Sequence, residues 1–220
     1  MNETVSNVEQ IKNEAASAAA QGLDLRETVR DMTLRALTQR ELKLDEVRSV
    51  VRAVSEGVSM GLEKRGGELK AAASSALAGL DEAVKKSAEA TKLAAEQLLS
   101  QGKDFTQQDL KPVLDDLKRL EGDLLDTISQ AADHGGARVK QEFGDLVNHA
   151  RRAGTDTGRM VADALAQFNG RAGASLKQGA AEGALAAKDL SQRLTLVASG
   201  ILSGMADALH DKANQNKKAD

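Results

Sequence analysis

Apolar residues recur along this chain every three to four positions, the spacing of one helix face. From Val47 the face reads Val47, Val51, Val54, Val58 and Leu62, then resumes after Arg65-Gly66-Gly67 as Leu69, Ala73, Ala76, Leu80, Val84, Ser87, Thr91, Ala95 and Leu98. The steps run 4, 3, 4 and repeat, an eleven-residue period of about 3.67 residues per turn rather than the heptad's 3.5. A second seam starts at Val139 and passes through Phe143, Leu146, Ala150, Gly154, Thr157, Val161, Leu165 and Phe168 to Met205. It holds 19 positions at the same spacing, none charged and only Thr157 polar. Its phase predicts one nearly continuous helix over about 137–211, roughly 110 Å long at 1.5 Å per residue. The glycines around Asn169 to Gly173 are its weakest point.

Punctuation divides the rest. Gly22 stops an Ala-rich, weakly amphipathic first segment that is expected to fray, so residues 1–22 read as a frayed helix or tail. Asp24 and Glu27 stand at capping-box spacing and open a helix whose face is Leu25, Val29, Met32 and Ala36. Arg40 and Lys43 interrupt that face, and Asp45 is a candidate N-cap for the next helix. A kink is expected at Gly66-Gly67. Gly102 to Thr106 reads as a loop, Thr106 with Asp109 as a capping pair, and Pro112 falls near the first turn of the following helix. That helix carries the densest leucine face, from Leu110 through Leu117 and Leu124 to Ile128, and ends at His134-Gly135-Gly136. The predicted helices are therefore about 24–41, 45–101, 107–133 and 137–211. They form a single elongated domain over 23–212, followed by a disordered tail at 213–220.

Composition narrows the class further. The 220 residues include 37 Ala and 19 Gly but no Cys, Trp or Tyr, with three Phe and one Pro. Disulfide scaffolds, cysteine nucleophiles and thiolate zinc sites are excluded. Sandwiches and barrels, which draw on β-branched and aromatic residues, are disfavoured. A thick core is not expected from so much alanine. The fold class is all-α: an elongated bundle of long antiparallel helices with eleven-residue seams, coiled-coil-like and packed through small residues. Those residues fall in ladders four apart, including Gly57 and Gly61, then Ala150, Gly154, Gly158, Ala162, Ala166, Gly170 and Ala174, then Gly179, Gly183 and Ala187, then Gly200, Gly204 and Ala208. Small residues one turn apart let helix backbones approach closely. The competing explanation is compositional drift in an Ala- and Gly-rich chain.

Charge adds orientation but little chemistry. The formal net charge is −3, which gives no general attraction for nucleic acid. Residues 104–133 carry eight acids and three bases, whereas 134–193 carry nine bases and six acids. Consecutive antiparallel helices of opposite sign could pair across that boundary, or the charges could form a solvated mixed surface. Met1-Asn-Glu-Thr-Val has no secretory pattern. The uncharged run Leu194–Ala206 is too short to span a bilayer. A cytoplasmic protein is expected.

No constellation for catalysis emerges. His134, His149 and His210 are the histidines, with Asp145 one turn before His149 and Asp207 three residues before His210. A Glu-x-x-His pair of the di-iron bundle type is absent, as are phosphate loops, nucleophile elbows and zinc-protease motifs. Catalytic, cofactor-binding and metal residues are accordingly each read as none, with no small-molecule substrate evident. Arg151-Arg152 and the basic tail from Lys212 to Lys218 are too short, and too poor in aromatics, for a nucleic-acid site.

The stretch from Val47 through Arg152 resembles an uncharacterised family of Ala-rich helical proteins from proteobacteria. The resemblance rests on Val50-Val51-Arg52-Ala53-Val54-Ser55-Glu56-Gly57, on Gly79-Leu80-Asp81-Glu82-Ala83 and on His149-Ala150-Arg151-Arg152, and it implies a bacterial source. In overall character the chain is also similar to phasins, the helical proteins that coat bacterial polyester granules, although it carries fewer aromatics. The leading expectation is a non-enzymatic structural or interaction protein that self-associates into homo-oligomers through long Ala/Gly-rich amphipathic helices. The alternative is a phasin-like coat on a storage granule or lipid surface, for which an interfacial helix wants more Trp or Phe than this seam offers.

Overall fold

A computed structural model describes residues 2–22, 24–40, 42–65, 68–101, 107–175 and 186–216. Among these the chain is an all-α bundle with no strand. In order it forms α1 (Asn2–Gln21), α2 (Leu25–Thr38), α3 (Leu44–Arg65), α4 (Leu69–Gln101), α5 (Gln107–Ala131), a 3-10 turn (Ala132–His134), α6 (Ala137–Ala153), α7 (Asp156–Ser175) and α8 (Ala186–Asn216). None of the described helices is long and apolar enough to cross a membrane.

The first segment is a docked helix, not a frayed tail. Ile11, Ala15, Ala18 and Ala19 are buried, and α1 packs more extensively on α3 than any other two helices pack together. The reason is backbone proximity. A β-carbon on Gly57 would stand 2.1 Å from the Lys12 carbonyl oxygen and 2.8 Å from the Ala15 β-carbon, and one on Gly61 would stand 2.2 Å from the Ala16 carbonyl oxygen. Alanines that give α1 a weak amphipathic signal are what let it lie this close. Lys12 meets Gly57 and Ala16 meets Gly61, so α1 and α3 run in the same direction. The two heaviest packings join next-but-one helices, α1 with α3 and α2 with α4. The Lys12 ammonium sits 2.9 Å from Glu56. That hydrogen bond holds its pKa above the ordinary lysine value against the opposing effect of burial.

The α2–α4 contact repeats the device at Gly79, where a β-carbon would stand 2.4 Å from the Arg26 carbonyl oxygen. Asp24 caps α2, its carboxylate accepting from the Arg26 and Glu27 N–H groups at 3.1 and 3.3 Å. Gly22, at φ +74°, adopts the left-handed conformation that ends α1. Arg30 is buried on α2 and reaches Asp31 at 2.7 Å and Glu82 of α4 at 3.5 Å. Burial pulls its pKa down, but the Asp31 hydrogen bond and the neighbouring carboxylates outweigh this and leave it raised.

Every seam position from Val47 to Leu98 is buried except Arg65, the one charged residue on the seam, which is exposed. Burial of such a stripe is what any amphipathic helix in a bundle requires; it places the face without specifying a supercoil. Phe143, Leu34, Leu37, Leu62, Leu80 and Ile128 are among the fully buried side chains, and they belong to a main cluster that draws on α1 through α8, with Val161 from α7 and Leu202 from α8. The core is thus broader than the alanine content implies, because close helix spacing lets small residues fill it. A smaller cluster joins Ala94, Ala95 and Leu98 of α4 with Ala164 and Phe168 of α7 and Leu194 and Ala198 of α8.

The expected helix over 137–211 is broken. Gly154, at φ +78° and ψ 159°, ends α6, and its N–H donates to the Ala150 carbonyl. Thr155 then starts α7, its hydroxyl accepting from the Gly158 N–H at 2.9 Å. Helix α7 runs unbroken through Asn169 to Gly173, where the weak point was expected. The stretch read as 45–101 is α3 and α4, with Gly66-Gly67 between them outside the described residues, as are the loop at 102–106 and seam positions Leu176 to Gly183. Helix α2 stops at Thr38, short of 41, and Asp45 lies in the first turn of α3 rather than at its cap. Helix α8 continues to Asn216, through the first part of the stretch read as tail.

Ser55 and Ser59, one turn apart on α3, are each 1% exposed, and neither hydroxyl meets a hydrogen-bond partner among the described residues. A buried hydroxyl without a partner costs about 1–3 kcal/mol, and alanine is the better helix former. Ser59→Ala is therefore expected to stabilise the protein by about 1 kcal/mol. The urea midpoint reads this directly, and an unchanged or lower midpoint contradicts it.

Candidate functional site

The most organised polar constellation gathers at the start of α7. A helix begins with backbone N–H groups that have no partner within the helix. Here two other helices supply carboxylates to them. Asp81 of α4 accepts from the N–H of Asp156 at 2.8 Å and of Thr157 at 3.1 Å. Glu121 of α5 accepts from the Thr155 N–H at 3.0 Å and from its hydroxyl at 2.8 Å. The Thr157 hydroxyl donates to the Asp81 backbone carbonyl at 3.0 Å. Negative charge at a helix start is also favoured by the helix dipole.

This node explains two sequence features. Thr157, the one polar seam position, is fully buried because its hydroxyl and N–H both go to Asp81. Gly158 belongs to the longest small-residue ladder, yet it seats a carboxylate rather than a helix: a β-carbon there would stand 2.2 Å from Glu121 Oε2. Gly154 of the same ladder serves the turn. The packing explanation holds at Gly57 and Gly61, and Gly79, which lies in none of the ladders, seats a helix in the same way. At Gly200 and Gly204 an added β-carbon would meet nothing within 4 Å. Gly170, Gly179 and Gly183 lie where nothing is described of the side-chain environment.

The opposite charges of 104–133 and 134–193 do meet. Lys140 pairs with Asp133 at 2.7 Å, and Arg151 of α6 pairs with Asp126 of α5. These groups are largely exposed, so the pairs set orientation more than stability. Arg48 of α3 reaches Asp123 of α5 at 2.6 Å. That hydrogen bond raises the guanidinium pKa despite some desolvation.

Residues 1–211 match a family described as a family of unknown function (DUF6781). The chain belongs to that family. No curated protein and no solved structure matches it. The match spans the residues of α1, of the Asp81–Glu121 node and of most of α8.

A cleft of about 60 Å³ opens beside Leu42, Lys43, Val47, Thr91, Leu117 and Leu194. Small-molecule sites are typically about 300–1,000 Å³, so this one has room for a few waters only. The nearby hydroxyls of Ser87 and Thr91 are bonded to carbonyls of their own helix at 2.7 and 2.9 Å. His134 is half-exposed with its Nε2 3.9 Å from Glu56. His149 and Asp145 both lie exposed on α6, and the side chain of His210 lies outside the described residues. No group of three or more histidines and carboxylates that could hold a metal occurs among the described residues. Sequence reasoning named no site residue and missed Asp81 and Glu121. The available signal was Gly154-Thr155, a helix stop followed by a helix cap.

Proposed function

We propose that this protein is a non-enzymatic helical scaffold of the cytoplasm that self-associates, with a second copy of the chain as its partner. The observation that carries the reading is the outer face of α8. Leu196 is 72% exposed, and Gly200 and Gly204 follow it at one-turn intervals, exposed and facing open space. The chain carries no charge from Leu194 to Ala206, a stripe roughly 20 Å long at helical rise. Within this same molecule, Gly57 and Gly61 already show how such spacing seats a neighbouring helix near backbone contact. A four-turn face falls short of the roughly 800 Å² per partner of a standard interface, so association is weak and concentration-dependent.

A granule or membrane coat draws less support. Among the described residues, Val139, Phe143, Val161, Phe168 and Leu194 of the last seam are turned into the protein's own core rather than toward a lipid. Catalysis draws less still, because the carboxylates of the α7 node are committed to backbone N–H groups.

Light scattering combined with small-angle X-ray scattering over a concentration series tests the proposal. The wild-type mass is expected to climb toward that of a dimer, while Leu196→Glu stays monomeric with the same fold. A wild-type monomer across the whole series overturns it, and so does a dimer indifferent to Leu196→Glu. Flotation of the monomer with liposomes or polyester particles would favour the coat reading instead.

A further inference from the structure

We propose that α7 is a latched strap: it opens as a unit about Gly154 when the Asp81 and Glu121 contacts release, uncovering the apolar strip of α4 beneath it. Three independent features converge on this. The first is the hinge. Gly154 is exposed, has a left-handed φ, and would meet nothing within 4 Å if it carried a β-carbon. No side chain therefore packs against Gly154 to hold the connection, and Thr155 is held there by Glu121.

The second is the latch. Most helix starts are capped from their own chain neighbourhood, as Asp24 caps α2. The start of α7 has such a local cap in Thr155 but is held in addition by Asp81 and Glu121, on two other helices. Hydrogen bonds from N–H to a carboxylate are the strong, charge-assisted kind, and they are concentrated at one end of the helix. Gly158 leaves the space in which the Glu121 carboxylate sits.

The third is the underside. Over its described residues α7 buries Val161, Ala164 and Phe168, whereas α3 buries a continuous face of valines and leucines. Val161 reaches the main cluster, while Ala164 and Phe168 belong to the smaller one, where they share Ala94, Ala95 and Leu98 of α4 with Leu194 and Ala198 of α8. Sub-global opening favours elements with less buried apolar surface. Opening would bare α4 side chains that are buried in the closed bundle. This inference is independent of self-association, since the strap can open in a monomer.

Hydrogen–deuterium exchange by mass spectrometry, on the full chain at a concentration where it is monomeric, tests it. Peptides from α7 are expected to exchange faster than those from α3 in the wild type. Asp81→Asn places an NH2 group against a backbone donor, and Gly158→Ala drives the Glu121 carboxylate from its seat. Each is expected to speed α7 exchange by roughly tenfold or more while α3 peptides keep their wild-type rates. Asp115→Asn, an exposed carboxylate elsewhere on α5, is expected to change nothing. If α7 and α3 exchange together in the wild type, or if both latch variants speed all helices equally or none, the strap is not a separate unit and the proposal fails.

Discussion

Leu124→Asp is expected to abolish cooperative folding. Leu124 is 3% exposed on α5, in the main cluster, and borders a small gap lined by Val47, Val51 and Val84. Truncating a buried leucine to alanine costs about 2–5 kcal/mol. The aspartate must in addition be buried charged or protonated, which costs several kcal/mol more when no partner is at hand. The nearby Arg48 is already held by Asp123 at 2.6 Å, and turning it inward would break that pair. The sum is comparable to the whole stability of an ordinary domain, about 5–15 kcal/mol. Circular dichroism on heating should show a broad, non-cooperative change or markedly reduced helicity. Leu124→Ala should remain folded with a lowered midpoint. A sharp, wild-type-like transition in Leu124→Asp would mean that α5 is not seated in the core as described.

Gly57→Leu is expected to detach α1. The nearest atom to the new side chain is the Lys12 carbonyl oxygen, which a β-carbon would already approach to 2.1 Å. Backbone cannot swing aside as a side chain can, so the two helices must separate. Replacing glycine by alanine within a helix ordinarily gains about 1 kcal/mol. At Gly57 even alanine should destabilise, because overpacking of this kind costs about 1–3 kcal/mol. At Gly200, which faces open space, the same change to alanine should stabilise. Limited proteolysis reads the outcome: Gly57→Leu should be cut within residues 8–21 while the remainder resists. Protection of α1 in that variant would show that the close approach is not what seats it.

These two residues also mark how far the sequence could be read. Leu124 was legible, because leucines spaced at a helical period on one face have no other economical destination than a core. Gly57 and Gly61 were legible as a ladder, and the structure gives them the close contact that the ladder implied. Identical spacing at Gly154, Gly158, Gly200 and Gly204 led to three other uses: a turn, a seat for a carboxylate, and an open face. Spacing states which residues share a face of a helix. It does not state what lies opposite.

The last seam went wrong for a related reason. Its 4-3-4 phase persists through Gly154 and Thr157, so periodicity alone favours one long helix. Phase can survive a two-residue break when the helices on either side turn their apolar faces to the same core, as Phe143 and Val161 do here. The local signal, a glycine stop followed by a threonine cap, was present and outweighed. Asp81 and Glu121 were hidden more deeply. Each is one carboxylate among many on helices with charged outer faces, and only the arrival of α7 gives it a task.

The order of residues alone is enough to establish that the chain is helical, where most helices begin and end, and which faces of α3, α4 and α5 turn inward. Those follow from local propensity, caps and periodicity, each decided within a few residues. The tertiary structure decided that α1 belongs to the bundle, that the last seam breaks at Gly154, and that α4 and α5 together cap α7. Those outcomes depend on distances between residues far apart in the chain. No local pattern encodes how close two backbones come, or which carboxylate meets an N–H group 75 residues away.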